Sequence, residues 1–244
     1  MNIVKLLQES LGNVKSHPVV LVPILAATVL IALLSLILVG TLVPQFGPMS
    51  SEVVISPEEA VGAAGAAIGR MIAVMVFGSI VGLLAHGMTV LMADDAIQGR
   101  EVHLKTAWQQ VRARLVPLVI TSVVVGALVS VGMVLLILPG IVIAFFLMFS
   151  FVALMVRELA PFTALGNSFR TVKSNFASTF VFFLVMIALG VLVGVVNFVI
   201  GLIPILGAII AVVVSSAYAS FLSVFVVSVY RGLTDSEVPP APEV

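Results

Sequence analysis

The sequence predicts an all-α fold: a polytopic membrane bundle of six transmembrane helices, built as three repeats of an interfacial amphipathic helix plus a helical hairpin. Three observations predict it. Of the 244 residues, 61% are hydrophobic and 9% are charged, against about 25% charged in soluble domains, and the mean hydropathy is +1.32. No charge interrupts the stretch between Arg114 and Arg157, or the one between Lys173 and Arg231. Each stretch is long enough for two crossings at roughly 20 helical residues apiece. Finally, one amphipathic pattern comes back three times, each time just ahead of an uncharged run.

Residues 2–16 place Ile3, Val4, Leu7, Leu11 and Val14 at helical spacing, with Lys5, Gln8, Glu9 and Asn13 between them. That spacing suits a helix lying in the membrane interface. The apolar run Val19 to Val43 that follows is too long for the core of a signal peptide and lacks an Ala-x-Ala cleavage site, so it reads as the first span, 18–43. Residues 44–56 hold Pro44, Gly47 and Pro48 but no lysine or arginine. They are expected to form the largest loop, facing outward.

Ser56-Pro57-Glu58-Glu59 then spells a capping box, with serine as N-cap, proline at the first helical position and glutamate reaching back. The second span is assigned to 60–93. A helix from the capping box, Pro57, to Met92 runs about 54 Å, more than a bilayer core of roughly 30 Å, so it must tilt or kink. Arg70 falls about 33 Å up the same helix from Met92, near the outer interface, where it can snorkel to phosphates. Gly65/Gly69 and Gly78/Gly82 are spaced for close approach of a neighbouring helix, which makes this span the expected central packing element.

Asp94, Asp95, Arg100, Glu101, His103 and Lys105 mark the return to water. Spans at 115–138 and 140–158 are expected to meet in a tight turn at Ile137-Leu138-Pro139-Gly140. Spans at 176–198 and 203–230 are expected to break around Asn197, Gly201, Pro204 and Gly207, with Asn197 a helix-end partner. One membrane domain, 1–232, is thus followed by a tail, 233–244, whose Pro239, Pro240 and Pro242 predict disorder.

Lysine and arginine beside the spans set the orientation. Lys5, Lys15, Arg100, Lys105, Arg112, Arg114, Arg157, Arg170, Lys173 and Arg231 fall on one side, and Arg70 falls toward the other. The protein is therefore expected in the cell membrane with both termini cytoplasmic.

The repeat is carried by Leu7-x-x-x-Leu11-x-x-Val14-Lys15-Ser16, Leu104-x-x-x-Trp108-x-x-Val111-Arg112-Ala113 and Leu165-x-x-x-Phe169-x-x-Val172-Lys173-Ser174. The first helix of each hairpin ends in a proline: Pro44, Pro139 or Pro204. In each copy the leucine, the central residue and the valine are expected to form one stripe on acyl chains, with the base reaching headgroups.

Ile137-Leu138-Pro139-Gly140-Ile141, followed by Pro161-Phe162-Thr163-Ala164-Leu165 and Ser168-Phe169-x-x-Val172-Lys173-x-Asn175-Phe176, resembles the membrane domain found N-terminal to some glycerophosphoryl diester phosphodiesterases. It also resembles stand-alone six-span relatives of that domain. The match covers roughly residues 100–180, while the rest agrees mainly in hydropathy and topology. The phosphodiesterase catalytic domain is absent from this sequence, so the resemblance implies a fold and a membrane address but no activity.

The remaining chemistry is sparse. Net charge is zero with a pI near 6.8, which gives no reason to expect nucleic acid, and the absence of cysteine removes disulfides and thiolate chemistry. Asp94, Asp95, Glu101 and His103 are the only local cluster of potential metal ligands. The adjacent carboxylates diverge by about 100° on a helix, so they read as a solvated helix exit with no metal bound. His86 lies inside the second span with Ser79, Gly82 and Thr89 on nearby turns, as either a packed imidazole or the start of an ion path.

Without a catalytic triad, a phosphate loop or a required cofactor, the expectation is a non-enzymatic scaffold or accessory protein. It would recognise lipid, a membrane partner or a second copy of itself through Leu11, Lys15, Trp108, Arg112, Phe169 and Lys173. The alternative is a small transporter or channel with a path along the glycine-rich second span past His86.

Overall fold

The computed structural model describes residues 3–38, 57–203 and 206–234. Every regular element among them is a helix. Six helices are long and apolar enough to cross a membrane: Pro18–Leu38, Val61–Ile97, Leu115–Leu135, Ile137–Val156, Phe176–Gly201 and Leu206–Thr234. In chain order the elements are α1 (Ile3–Ser16), a 3-10 turn (Pro18–Leu21), α2 (Val22–Leu38), α3 (Pro57–Ile97), α4 (Leu104–Ala113) and α5 (Leu115–Leu135). They continue with α6 (Ile137–Leu147), α7 (Ser150–Val156), α8 (Pro161–Ser174), α9 (Phe176–Gly201) and α10 (Leu206–Thr234). The loop expected at 44–56, the serine of the capping box, Pro204 and most of the tail lie outside the described residues. Leu233 and Thr234, assigned to that tail, are instead buried in the last turn of α10.

The three short amphipathic helices α1, α4 and α8 each end on a basic last turn, at Lys15, Arg112 and Lys173, which complements the negative end of the helix dipole. Each is separated from its span by one residue outside the helical region: His17 (φ −127, ψ 68), Arg114 (φ −111, ψ 17) and Asn175 (φ −119, ψ 38). That single joint lets the amphipathic helix leave the axis of the span.

Successive spans pair as α2 with α3, α5 with α6, and α9 with α10, and α3, α7 and α10 touch one another. The amphipathic helices pack on the ends of the spans: α4 and α8 on the helices just before them, α3 and α7, and α1 on the last helix, α10. The buried apolar set clusters at this base-rich end, running through Val90–Ala93, Val111, Phe149, Val152–Met155, Val172 and Val227–Leu233. Toward the other end the spans present apolar side chains outward, as at Val61, Val134, Leu138 and Phe198, which is what a lipid-facing surface requires.

Several expectations are corrected. The central turn sits at Leu136, extended at φ −163 and ψ 142, not at Pro139-Gly140. Ile137–Gly140 form the first turn of α6, where proline's missing N–H costs nothing. The close approach in this hairpin belongs to Gly132 and Gly140. A Cβ on Gly132 would stand 2.8 Å from the Gly140 Cα, and one on Gly140 would stand 2.7 Å from the Met133 nitrogen.

Conversely, no neighbour lies within 4 Å of a Cβ placed at Gly65, Gly69 or Gly82, and at Gly78 only Ile31 comes near, at 3.5 Å. α3 does touch α2, α4, α7 and α10, but these glycines are not where a neighbouring helix comes closest. α3 engages the bundle one turn further on, at Gly87, which receives the Val111 methyl groups of α4. Small residues permit close approach, but other contacts decide whether a partner arrives. Asn197, expected at a helix end, lies within α9 and donates through Nδ2 to Ser215 Oγ on α10 at 3.0 Å.

Gly140→Val is expected to overpack the α5–α6 turn and cost about 1–3 kcal/mol. Thermal melting of the detergent-solubilised protein should show a clear loss, while Gly82→Ala should melt like the parent; equal melting of both would contradict the assigned close approach.

Candidate functional site

Each amphipathic helix divides its residues in the same way between bundle and surroundings. Ser10, Ala107 and Ser168, at one position of the pattern, are 0%, 2% and 0% exposed. One residue later, Leu11, Trp108 and Phe169 are 45%, 44% and 47% exposed. The bases that follow at i+4, Lys15, Arg112 and Lys173, are exposed as well. Their leucines Leu7, Leu104 and Leu165 are half-buried, and Val111 and Val172 are buried. The single acyl-facing stripe expected from the sequence is thus split: leucine and valine turn into the bundle, and the central residue with its base turns out.

The inward side is fixed by hydrogen bonds as well as packing. Ser10 Oγ donates to the Leu6 carbonyl at 2.7 Å and stands 3.1 Å from Ser228 Oγ of α10. Ser168 Oγ donates to the Phe146 carbonyl at 2.8 Å and accepts from the Phe149 N–H at 3.1 Å. Those two backbone groups flank the break between α6 and α7. A broken helix inside a membrane needs its freed groups satisfied, and α8 supplies the hydroxyl that does so.

Beside these helices, a cavity of about 560 Å³ opens where α3, α4, α7 and α10 end, lined in part by Asp94, Asp95, Arg100, His103, Glu158 and Arg231. Asp94 organises it. Expected at a solvated helix exit, it is only 4% exposed. One oxygen accepts from Arg231 Nε of α10, and the other from Arg100 Nη2 at 2.9 Å and Gln98 Nε2 at 2.7 Å.

Arg100 reaches back because Gly99, at φ +68, reverses the chain past α3, with the Arg100 N–H bonding the Asp95 carbonyl at 2.8 Å. Its guanidinium also meets Asp95 Oδ1 at 2.7 Å, so the two neighbouring carboxylates, expected to diverge, share one cation. Nearby, Arg114 pairs with Glu158 at 2.5 Å, and Arg157 lies 5.5 Å from the ring centroid of Tyr230, whose hydroxyl donates to Asn167 at 2.7 Å. Among the described residues no group of three or more histidines and carboxylates is placed to hold a metal.

His86 sits where α3, α7 and α10 meet. Its Nδ1 is 3.3 Å from Ser223 Oγ, and its ring centroid is 4.9 Å from that of Phe151. The nearby hydroxyls proposed as partners from the sequence go elsewhere: Ser79 donates to the Met75 carbonyl and Thr89 to that of Ala85. Arg70 lies in the N-terminal half of α3 and does not line the cavity.

Sequence reasoning missed the pairing of Asp94 with Arg231, which are 137 positions apart. A signal was present, since Asp94 extends the α3 stripe through Val90 and Leu91, both buried. No family model matches the chain, and neither does any curated protein or solved structure.

Asp94→Asn should leave the Arg231 and Arg100 guanidinia without their shared carboxylate. Because both arginines keep partial solvent access, the expected cost is about 2–3 kcal/mol, below that of a fully buried pair. Asp95→Asn should cost about 1 kcal/mol or less. Melting curves of the two variants in the same detergent check the ranking, and an Asp94→Asn protein as stable as Asp95→Asn would contradict it.

Proposed function

We propose that this protein is a non-enzymatic membrane scaffold or accessory that recognises lipid or a membrane partner through three amphipathic helices at the cytoplasmic ends of its spans. One observation carries the reading. Leu11, Trp108 and Phe169 are held outward, each followed by an exposed base, by helices whose opposite faces are buried. Large apolar residues presented beside cations at a membrane boundary are the elements of an interfacial binding surface.

The shared burial register and the single-residue joints also support three repeats of amphipathic helix plus hairpin, descended from one unit. On this reading the base-rich end is cytoplasmic, both termini lie on that side, and the protein sits in the cell membrane. Kinship with the membrane domain of glycerophosphoryl diester phosphodiesterases is part of the same proposal. It draws on Ile137-Leu138-Pro139-Gly140-Ile141 and the Ser168 to Phe176 segment, which here form the start of α6 and the end of α8.

Because the side chains are exposed, Leu11→Ala, Trp108→Ala and Phe169→Ala together should leave the melting temperature nearly unchanged. Native mass spectrometry of the protein extracted in mild detergent should show the parent retaining lipid, a partner or a second copy, and the triple variant losing it. Identical retention by both proteins would overturn the proposal.

A further inference from the structure

Every described carboxylate at the base-rich end already has a basic partner. Glu9 pairs with Lys5 at 3.6 Å, Asp94 with Arg100 and Arg231, Asp95 with Arg100, Glu101 with His103 at 2.9 Å, and Glu158 with Arg114. Arg157 is spent on the Tyr230 ring. Apart from Arg157, the bases left with no ion-pair partner among the described residues at this end are Lys15 on α1, Lys105 and Arg112 on α4, and Arg170 and Lys173 on α8. All five are exposed. Among the described residues, the unpaired positive charge of this end is thus concentrated on the three amphipathic helices, with Arg157 against the Tyr230 ring as the exception.

We propose that α1, α4 and α8 bind the anionic phosphate headgroups of phospholipids in the adjoining leaflet, with Lys15, Arg112 and Lys173 as the principal contacts. The inference rests on the interfacial reading given above and adds the chemistry of the ligand. Each of these bases lies one helical turn from an exposed apolar side chain, so that a headgroup and the start of its acyl chain can be met together.

The distribution favours lipid over a protein ligand. α1 packs on α10, α4 on α3, and α8 on the α5–α7 region, so the three units address different parts of the bundle's perimeter. An annulus of lipid meets all of them at once, whereas a single docked protein meets one side. Each juxtamembrane base contributes roughly a five-fold preference for an anionic surface, so three give a preference on the order of 100-fold at low salt.

The test uses the full chain in a neutral detergent, titrated with phosphatidylglycerol or with phosphatidylcholine of identical acyl chains, and counts retained lipids by native mass spectrometry. The parent should retain phosphatidylglycerol in preference. Lys15→Gln/Arg112→Gln/Lys173→Gln should lose most of that preference while keeping its phosphatidylcholine binding and its melting temperature. Leu11→Ala/Trp108→Ala/Phe169→Ala should weaken both lipids alike.

Equal retention of the two lipids by the parent, or an undiminished preference in the glutamine variant, would overturn the inference. If the alanine variant still lost both lipids in that case, the interfacial reading itself would stand. Displacement of phosphatidylglycerol by millimolar inorganic phosphate would also overturn it, by showing that a free anion suffices.

Discussion

The structure depends on a contact repeated at three places: a small buried side chain on an amphipathic helix seated against the base-rich end of the spans. Ser10 meets α10 through Ser228, Ser168 bridges the break between α6 and α7, and Ala107 is buried on α4 where that helix lies on α3. In lipid there is little hydrophobic drive to bring helices together, so close packing and interhelical hydrogen bonds must do it. Concentrating them at one end leaves the rest of each span to be covered by acyl chains. The outward position of Leu11, Trp108 and Phe169 then follows, because the next residue on a helix with one face pinned must point about 100° away.

The ion-pair cluster at Asp94 is a second fastening of the same end. It ties the last turn of α3 to the last turn of α10, the two helices that receive α4 and α1. A carboxylate this buried would be costly alone, and its two oxygens are divided between guanidinia from different parts of the chain. By absorbing Arg100 and Arg231, this cluster separates bases that fasten the fold from bases that remain available outside.

Much of this architecture was legible in the sequence because hydropathy is a local property. The six spans and the three amphipathic helices appear close to where charge-free runs and the Leu7, Leu104 and Leu165 patterns place them. Legibility stopped where geometry between distant segments decides. Nothing local pairs Asp94 with Arg231, or says that Ser223 rather than Ser79 lies beside His86. The glycines at 65, 69 and 82 satisfied a spacing rule, yet the neighbour that rule presupposes comes to Gly87 instead. Pro139 looked like the hairpin's breaking point, but a proline also suits the first turn of a helix, and the chain turns three residues earlier. The amphipathic pattern located the three short helices but could not say which of their apolar residues turn inward.

The seating of α1 on α10 is the most distant of the three contacts, joining the first helix to the last. The chain has no cysteine, so a pair can be introduced without a background thiol. Ser10→Cys/Ser228→Cys, oxidised under mild conditions in native membranes, is predicted to form an intramolecular disulfide efficiently, while Val4→Cys/Ser228→Cys, with the first position turned outward, is not. Absence of the first crosslink, or equal formation of both, would contradict the proposed docking of the amphipathic helices.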